Sequence, residues 1–488
     1  MPTTTLRKIL DLKVWQACTP CPGVVQIAAI GGSLGPDQLV YALPNNTTLL
    51  YCYDPAEDSW TTLATPALGS ATAGLATCWH PAGPTGTASA GSSTTITTAT
   101  TVSSDLSARS GLYFRIRITG GTGAGQERLI SSATMGANSV ITVSSAWLAN
   151  PDATSTYQLM TGRLWMFGGG TLATGSLKYF DYATASYSGS LSTSGLPGTF
   201  GTDGRLTGTP SLPGFMDAAV AKGFATGTAT SGGATGLTDS GQSWTASQWV
   251  NSQVRITGGT GAGQVRTITA NTGTALTVAT WGTNPDATST YSIEGNDDNL
   301  YLMGNGAIAL YKYSISGNSW AALSPGVPRV GAPGAGSNFD WIYGVTQADW
   351  TAVGAIRNGS RLYSFRSGAT LDYYDIAANS WTNGVAIYRT SENLSANVDC
   401  IYDSGNYLYV YIYNSSVTPQ RFVRLDLRSG SVEPFATNQY PCVGSAAYAG
   451  NKIWISQYGD TTGTPLRFLY HPQPGASAPS PVHRCLIF

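Results

Sequence analysis

Few residues in this chain have side chains suited to catalysis or metal binding, and their spacing argues against both. The three histidines, His80, His471 and His483, are too few and too scattered for a metal set or a catalytic triad, and each reads as structural. Cys18 and Cys21 form one CxxC, with no second pair and no Cys-x-His spacing beside it, so zinc is not implied. Seven cysteines, an odd number at scattered positions, fit reduced thiols better than a disulfide framework. Two GTGAG runs, at 121–125 and 259–263, have the composition of a phosphate-cradling loop. That chemistry needs a helix N-terminus after the glycines, and the adjoining QERLISS and QVRTITA read as strands, so the runs are expected to be hairpin tips. The carboxylate pairs Asp297-Asp298 and Glu57-Asp58 fall in predicted turns, where solvated acids are ordinary. Trp147, Trp244, Trp249 and Trp281 offer faces that could stack on sugars or meet a partner, and they are the candidate contact residues. Core packing of a small β module is the competing reading for the same four, and module size favours it. No catalytic, cofactor or metal residue is assigned, and the chain is read as a non-enzyme that needs no cofactor.

The elements that carry these residues repeat. RITGGTGAGQ occurs at 117–126 and again at 255–264, each with NPDATSTY further along the chain. Between the shared pieces the second copy is about four residues shorter, and Trp147 still falls opposite Trp281, as a trimmed hairpin would allow. The run DSGQSW at 239–244 echoes the Asp box of sialidases, which is itself a structural turn and occurs here once.

Around the two copies runs a looser repeat of roughly 45–60 residues, the range of propeller blades. Its ending is an aromatic strand, a polar turn, then a Trp or Tyr: LYCYDPAEDSW from 50, LKYFDYATASY from 177, LYKYSISGNSW from 310, LDYYDIAANSW from 371 and FVRLDLRSGSV from 422. First strands are expected near Val25, Ala71, Asp217, Thr351, Val398 and Ser445, which makes six units. Asn358-Gly359 and Ser404-Gly405-Asn406 are hairpin turns. The segment 8–22 has no hairpin before it and could supply an outer strand to the last unit, closing the ring; the alternative is that 466–481 completes that unit alone. The tyrosine, polar turn and tryptophan resemble the third and fourth strands of a kelch-type propeller blade. The resemblance implies an all-β, six-bladed kelch-like β-propeller with two small β-rich modules in the first hairpin loops of consecutive blades. The expected division is propeller at 1–83, module copy 1 at 84–161, propeller at 162–227, module copy 2 at 228–295 and propeller at 296–488.

Composition agrees with a β protein. Among 488 residues there are 59 glycines, 42% hydrophobic residues and only 10% charged ones, with a net charge of −1. Such a balance gives little attraction to nucleic acid or anionic membrane, and no apolar run is long enough for a span or a signal peptide. Sparse surface charge suits a subunit covered by copies of itself or by other proteins.

The duplicated module, through TGGTGAGQ and PDATSTY, resembles a β-rich segment of structural and tail-associated proteins of tailed bacteriophages. Propellers with inserted modules also resemble nozzle or tail-hub proteins of short-tailed phages in architecture. The resemblance implies a virion structural protein of the tail or neck, made in the host cytoplasm, that assembles with itself and with other virion proteins such as a tail adaptor or fibres. The alternative is a glycan-binding adhesin, fibre or decoration protein that recognises host-surface saccharide, and a third reading is a glycan-active enzyme.

Overall fold

Short runs of alternating apolar and polar residues, punctuated by Gly, Asn, Asp and Ser, dictate strands. The computed structural model is all-β, with no helix among the described residues. Those residues are the strands of the sheets and modules with some of their tight turns, and the stretches 83–100, 115–134, 138–160, 186–200, 225–294 and 308–330; the rest, including 1–15, 45–48, 101–114, 210–224, 342–360, 403–406, 427–431 and 471–488, and with them the expected hairpin turns Asn358-Gly359 and Ser404-Gly405-Asn406, lie outside them.

Among the described residues, six four-stranded antiparallel sheets form the larger part. Sheet 1 is Ile27–Gly32, Val40–Pro44, Leu50–Asp54 and Ser59–Leu63 in sequence order. Sheet 2 is Ala76–His80, Arg163–Phe167, Leu177–Asp181 and Ser186–Tyr187. Sheet 3 is Arg205–Thr209, Asn296–Met303, Leu310–Ser314 and Ser319–Ala322. Sheet 4 is Phe339–Trp341, Arg361–Arg366, Thr370–Asp375 and Ser380–Ile387, and sheet 5 is Val398–Tyr402, Tyr407–Ile412, Gln420–Asp426 and Val432–Asn438. Sheet 6 takes Ala446–Ala449, Lys452–Ser456 and Leu466–Tyr470 from the C-terminal part and its fourth strand, Gln16–Ala17, from the N-terminal part. Each first strand lies against the first strand of the next sheet, and that of sheet 6 lies against that of sheet 1. The six sheets therefore close into a cycle whose last seam is the pairing of Gln16 with Phe468 and Ala17 with Arg467.

One local device recurs at the turn between third and fourth strands. In sheet 1 the Tyr53 hydroxyl donates to Asp58 (2.5 Å), in sheet 3 Tyr313 donates to Asn318 (2.7 Å), and in sheet 4 Tyr374 donates to Asn379 (2.7 Å). The acceptor stands each time at positive φ (46°, 44° and 47°), a region that Asp and Asn tolerate better than other side chains. Two residues on, Trp60, Trp320 and Trp381 pack on the same tyrosines. The turn also grips the preceding sheet's exit: Ser192 N donates to Asn318, Trp320 Nε1 donates to Ser192 O, and Asn379 Nδ2 donates to Ser324 O. At sheet 1 the gripped residue is Thr19, whose N donates to Asp58 (2.9 Å) and whose carbonyl accepts from Trp60 Nε1 (2.7 Å). The seam strand is thus fastened both by its ladder and by this staple. Cys18 and Cys21 are buried thiols packed with Tyr51, Tyr53 and Trp454 behind it, and burial pushes the Cys21 thiol up to about 12.

The two sequence copies are two small β modules, copy 1 a closed barrel and copy 2 a seven-stranded sheet. Copy 1 closes six strands, Thr85–Gly91, Thr95–Thr98, Arg115–Gly120, Glu127–Thr134, Val140–Val143 and Thr156–Met160, between the first and second strands of sheet 2. Copy 2 has the same neighbour order in Ala225–Thr228 with Ser231–Gly233, Gly236–Thr238, Gln253–Gly258, Val265–Asn271, Ala275–Val278 and Thr290–Glu294, its first strand being interrupted in the middle. Most of the length difference lies in one hairpin, where Ile130 faces Val143 in copy 1 and Ile268 faces Val278 in copy 2.

Two strand positions differ from the sequence reading. The first strand of sheet 3 is Arg205–Thr209, not 217–227; Ala225–Thr228 pairs instead with Thr290–Glu294 inside copy 2, and 217–224 lie outside the described residues. The partner of Arg361–Arg366 is Phe339–Trp341, and the expected strand from Thr351 lies outside the described residues. In both places the true first strand is short and poor in aliphatic side chains, so a more apolar run downstream matched the strand pattern better.

Candidate functional site: the paired tips of the two copies

The residues common to both copies build a hairpin tip and its brace. In RITGGTGAGQ the strand turns through three glycines at positive φ, Gly121, Gly123 and Gly125, repeated at Gly259, Gly261 and Gly263. The closing glutamine clamps the tip from within. Gln126 Nε2 donates to Gly123 O and Ala149 O, while its Oε1 accepts from Leu148 N and Ala149 N. Gln264 does the same with Gly261 O, Thr283 O, Gly282 N and Thr283 N. The PDATS loop braces the tip from outside: Asp152 accepts from Thr154 N and Thr122 Oγ1, and Ser155 Oγ donates to Thr122 O. Asp286 and Thr288, with Ser289 Oγ donating to Thr260 O, repeat this in copy 2. Hydrogen bonds from the threonines hold both carboxyls below their ordinary value.

Each tip then meets the other. Glu127 N donates to Gly263 O (2.8 Å) and Val265 N donates to Gly125 O (2.5 Å), flanking an antiparallel bridge between Gln126 and Gln264. The exchange is reciprocal, as in an isologous contact between two copies related by a local twofold. Side chains follow the twofold approximately: Arg128 Nη1 donates to Gly263 O (3.3 Å), and Arg266 Nη2 donates to Ala124 O (2.7 Å), one residue short of the equivalent carbonyl. Both guanidiniums sit over the tryptophan of their own copy, Arg128 on Trp147 at 5.6 Å and Arg266 on Trp281 at 5.5 Å. Gly125 and Gly263 stand at φ 83° and 85°, where a side chain is strained, and a Cβ at either would also have to displace the guanidinium end of Arg266 or Arg128, so glycine suits the crossing.

The symmetry breaks in the charges that flank the tips. Copy 1 carries Glu127 where copy 2 carries Val265, and Arg115 where copy 2 carries Gln253. Glu127 is buried, 3% exposed, with Arg255 of the other copy at 2.8 Å, Arg117 at 2.9 Å and Arg115 at 3.5 Å. Burial alone would raise this carboxyl; Arg255, Arg117 and Arg115 outweigh it and hold it at about 2. The acid is therefore ionised in the folded chain and ties the copies together.

The four candidate contact tryptophans are placed differently from a stacking surface. Trp147, Trp249 and Trp281 are buried in the module cores, at 5%, 3% and 3% exposure, and Trp244 packs half-buried against the copy 2 core. The core reading applies to the first three, because a module this small needs its largest apolar side chains inside. Asp239 accepts from Tyr291 Oη (2.7 Å), Gln242 Nε2 and Gly241 N, a closed structural turn. His80 is buried in sheet 2, and no group of three or more metal-ligating side chains occurs among the described residues. His471 and His483 lie outside them. Sequence reasoning missed Glu127 and Arg255; the signal was the Glu-for-Val difference directly after the identical RITGGTGAGQ runs.

No family model matches the chain, and no curated protein matches it. Among solved structures, a catalytically inactive virginiamycin B lyase from Staphylococcus aureus with quinupristin is similar at 11% identity, covering 94% of this chain and 99% of that one, with a TM-score of 0.38. U3-55K is similar at 5% identity, 93% and 98% coverage and a TM-score of 0.38. A chain of a mitotic checkpoint complex is similar at 8% identity, 94% and 92% coverage and a TM-score of 0.36. At these scores the likeness carries no argument about activity.

Proposed function

We propose that this chain is a structural protein of a tailed-phage virion, located in the tail or neck: a six-bladed kelch-like propeller whose second and third blades carry the two modules as one paired head. The six four-stranded sheets, the cyclic contact of their first strands and the recurring Tyr–Asx–Trp staple support the blade reading. The observation that carries the functional reading is the head itself. The most specific sequence in the chain, duplicated RITGGTGAGQ, is occupied by packing one module on the other, which is the work of a scaffold rather than of a ligand loop. Its partners are copies of itself and other virion proteins, an adaptor or fibres among them. Host-surface glycan is the weaker alternative, since three of the four stacking candidates are buried.

The test is mass in solution by light scattering, then negative-stain imaging of the purified chain. Rings or attached copies are expected. A monodisperse monomer that turns over a sugar substrate would overturn the proposal.

A further inference from the structure

The local twofold lets the tip contact be rebuilt in every combination of copies. In the observed pair Glu127 reaches across to Arg255, and Arg255 occupies in copy 2 the place of Arg117 in copy 1. Two copies 1 facing each other would set each Glu127 against the other's Arg117, giving two crossing ion pairs instead of one. The same backbone exchange, Glu127 N to the facing glycine carbonyl, would be available in both directions. Two copies 2 would set Arg255 against Val265 on both sides, with no carboxylate in the contact and two guanidiniums brought together. Bringing like charges into a buried contact without an acid is costly.

We propose that the 115–134 hairpin of copy 1 is a self-complementary docking element whose partner is copy 1 of a second chain, and that Val265 in place of Glu127 removes this capacity from copy 2. In the intact chain copy 2 occupies the element. When copy 2 is absent or displaced, copy 1 joins two chains head to head. The inference concerns only the chain's own surfaces and stands apart from the virion reading.

Two full-length variants test it by light scattering against the intact chain. Gly263→Val puts a side chain at φ 85° in the copy 2 tip and against the Arg128 guanidinium, changing no residue of copy 1; it is expected to open the internal pair and to double the association state. Gly125→Val spoils copy 1 and leaves copy 2 whole; no doubling is expected. Glu127→Val added to Gly263→Val is expected to reverse the doubling, which separates tip pairing from association through any other surface. Should Gly263→Val fail to fold, copy 2 is removed instead by replacing 210–295 with an Asn-Gly turn, which rejoins strands already paired at Thr209 and Asn296. The proposal is overturned if this deletion variant, folded by circular dichroism, keeps the association state of the intact chain. It is equally overturned if Gly125→Val doubles as Gly263→Val does.

Discussion

Replacing Glu127 with Gln tests the electrostatic tie between the two copies. The carboxylate is buried and has three guanidiniums within 2.8–3.5 Å, one of them from the other copy. Its pKa falls from the ordinary 4.5 to about 2, so the arginines outweigh the cost of burial. At about 1.4 kcal/mol per pKa unit, the drop corresponds to roughly 3 kcal/mol of folded-state preference for the charged form. Because the folded pKa is depressed, this contribution is complete above the unfolded value of 4.5 and is lost as pH falls towards 2. Glutamine removes the charge and leaves the arginines without it; breaking a buried ion cluster in this way costs about 3–5 kcal/mol. Glu127→Gln is therefore expected to lower stability by about 3 kcal/mol at neutral pH, with the gap to wild type closing as pH falls from about 4.5. Urea denaturation monitored by tryptophan fluorescence, at neutral pH and in steps down to about pH 3, reads both quantities. Equal midpoints at neutral pH, or a gap that does not change below pH 4.5, would refute the reasoning. A double-mutant cycle with Arg255→Gln should return a coupling on the order of 1–3 kcal/mol if the inter-copy bond is a main part of the effect.

Two other sites yield sharp expectations. Asp58→Ala removes the acceptor of Tyr53 and Thr19 and leaves a less suited residue at positive φ; a loss of about 1–3 kcal/mol is expected. Amide exchange should accelerate in Gln16–Ala17 and Leu466–Tyr470, whereas Asn318→Ala should act on the exit of sheet 2; seam protection unchanged by Asp58→Ala would sink the seam argument. Arg329 and Asp372, both fully buried and 3.0 Å apart, join the exit of sheet 3 to sheet 4, with Arg329 also 5.0 Å over Trp381. Asp372→Asn should cost about 3–5 kcal/mol and lower the melting temperature by several degrees; a melt that superimposes on wild type would count against the pair.

The fold was legible where local chemistry decides it. The aromatic strand, polar turn and tryptophan carry their own geometry, because Asp58, Asn318 and Asn379 must stand at positive φ and their tyrosines and tryptophans are spaced to meet them. The GTGAG tips were readable for the same reason, since the residues after the glycines are strand-like. First strands were harder. Arg205–Thr209 and Phe339–Trp341 are held by their partners and by the neighbouring first strands, which are non-local contacts that leave little trace in their own residues. For the tryptophans a core and a stacking face need the same side chain, and only module size favoured the core; the burial of Trp147, Trp249 and Trp281 agrees with it.

The contact between the tips illustrates a more general limit. Repeat identity explains everything each copy does alone: the glutamine clamp, the Asp–Thr brace and the arginine over tryptophan occur twice in matching form. None of these features predicts that the copies touch. The contact is instead recorded where the copies disagree, because a twofold pairing of identical hairpins would repeat any acid on both sides, whereas a pairing of two hairpins that differ in sequence needs it only once. Glu127 with Arg115 on one side and Val265 with Gln253 on the other is that single acid. Differences between duplicated β modules on neighbouring sheets are thus the positions to inspect for pairing, and here they lead to one buried carboxylate whose removal should loosen the head without unfolding either module.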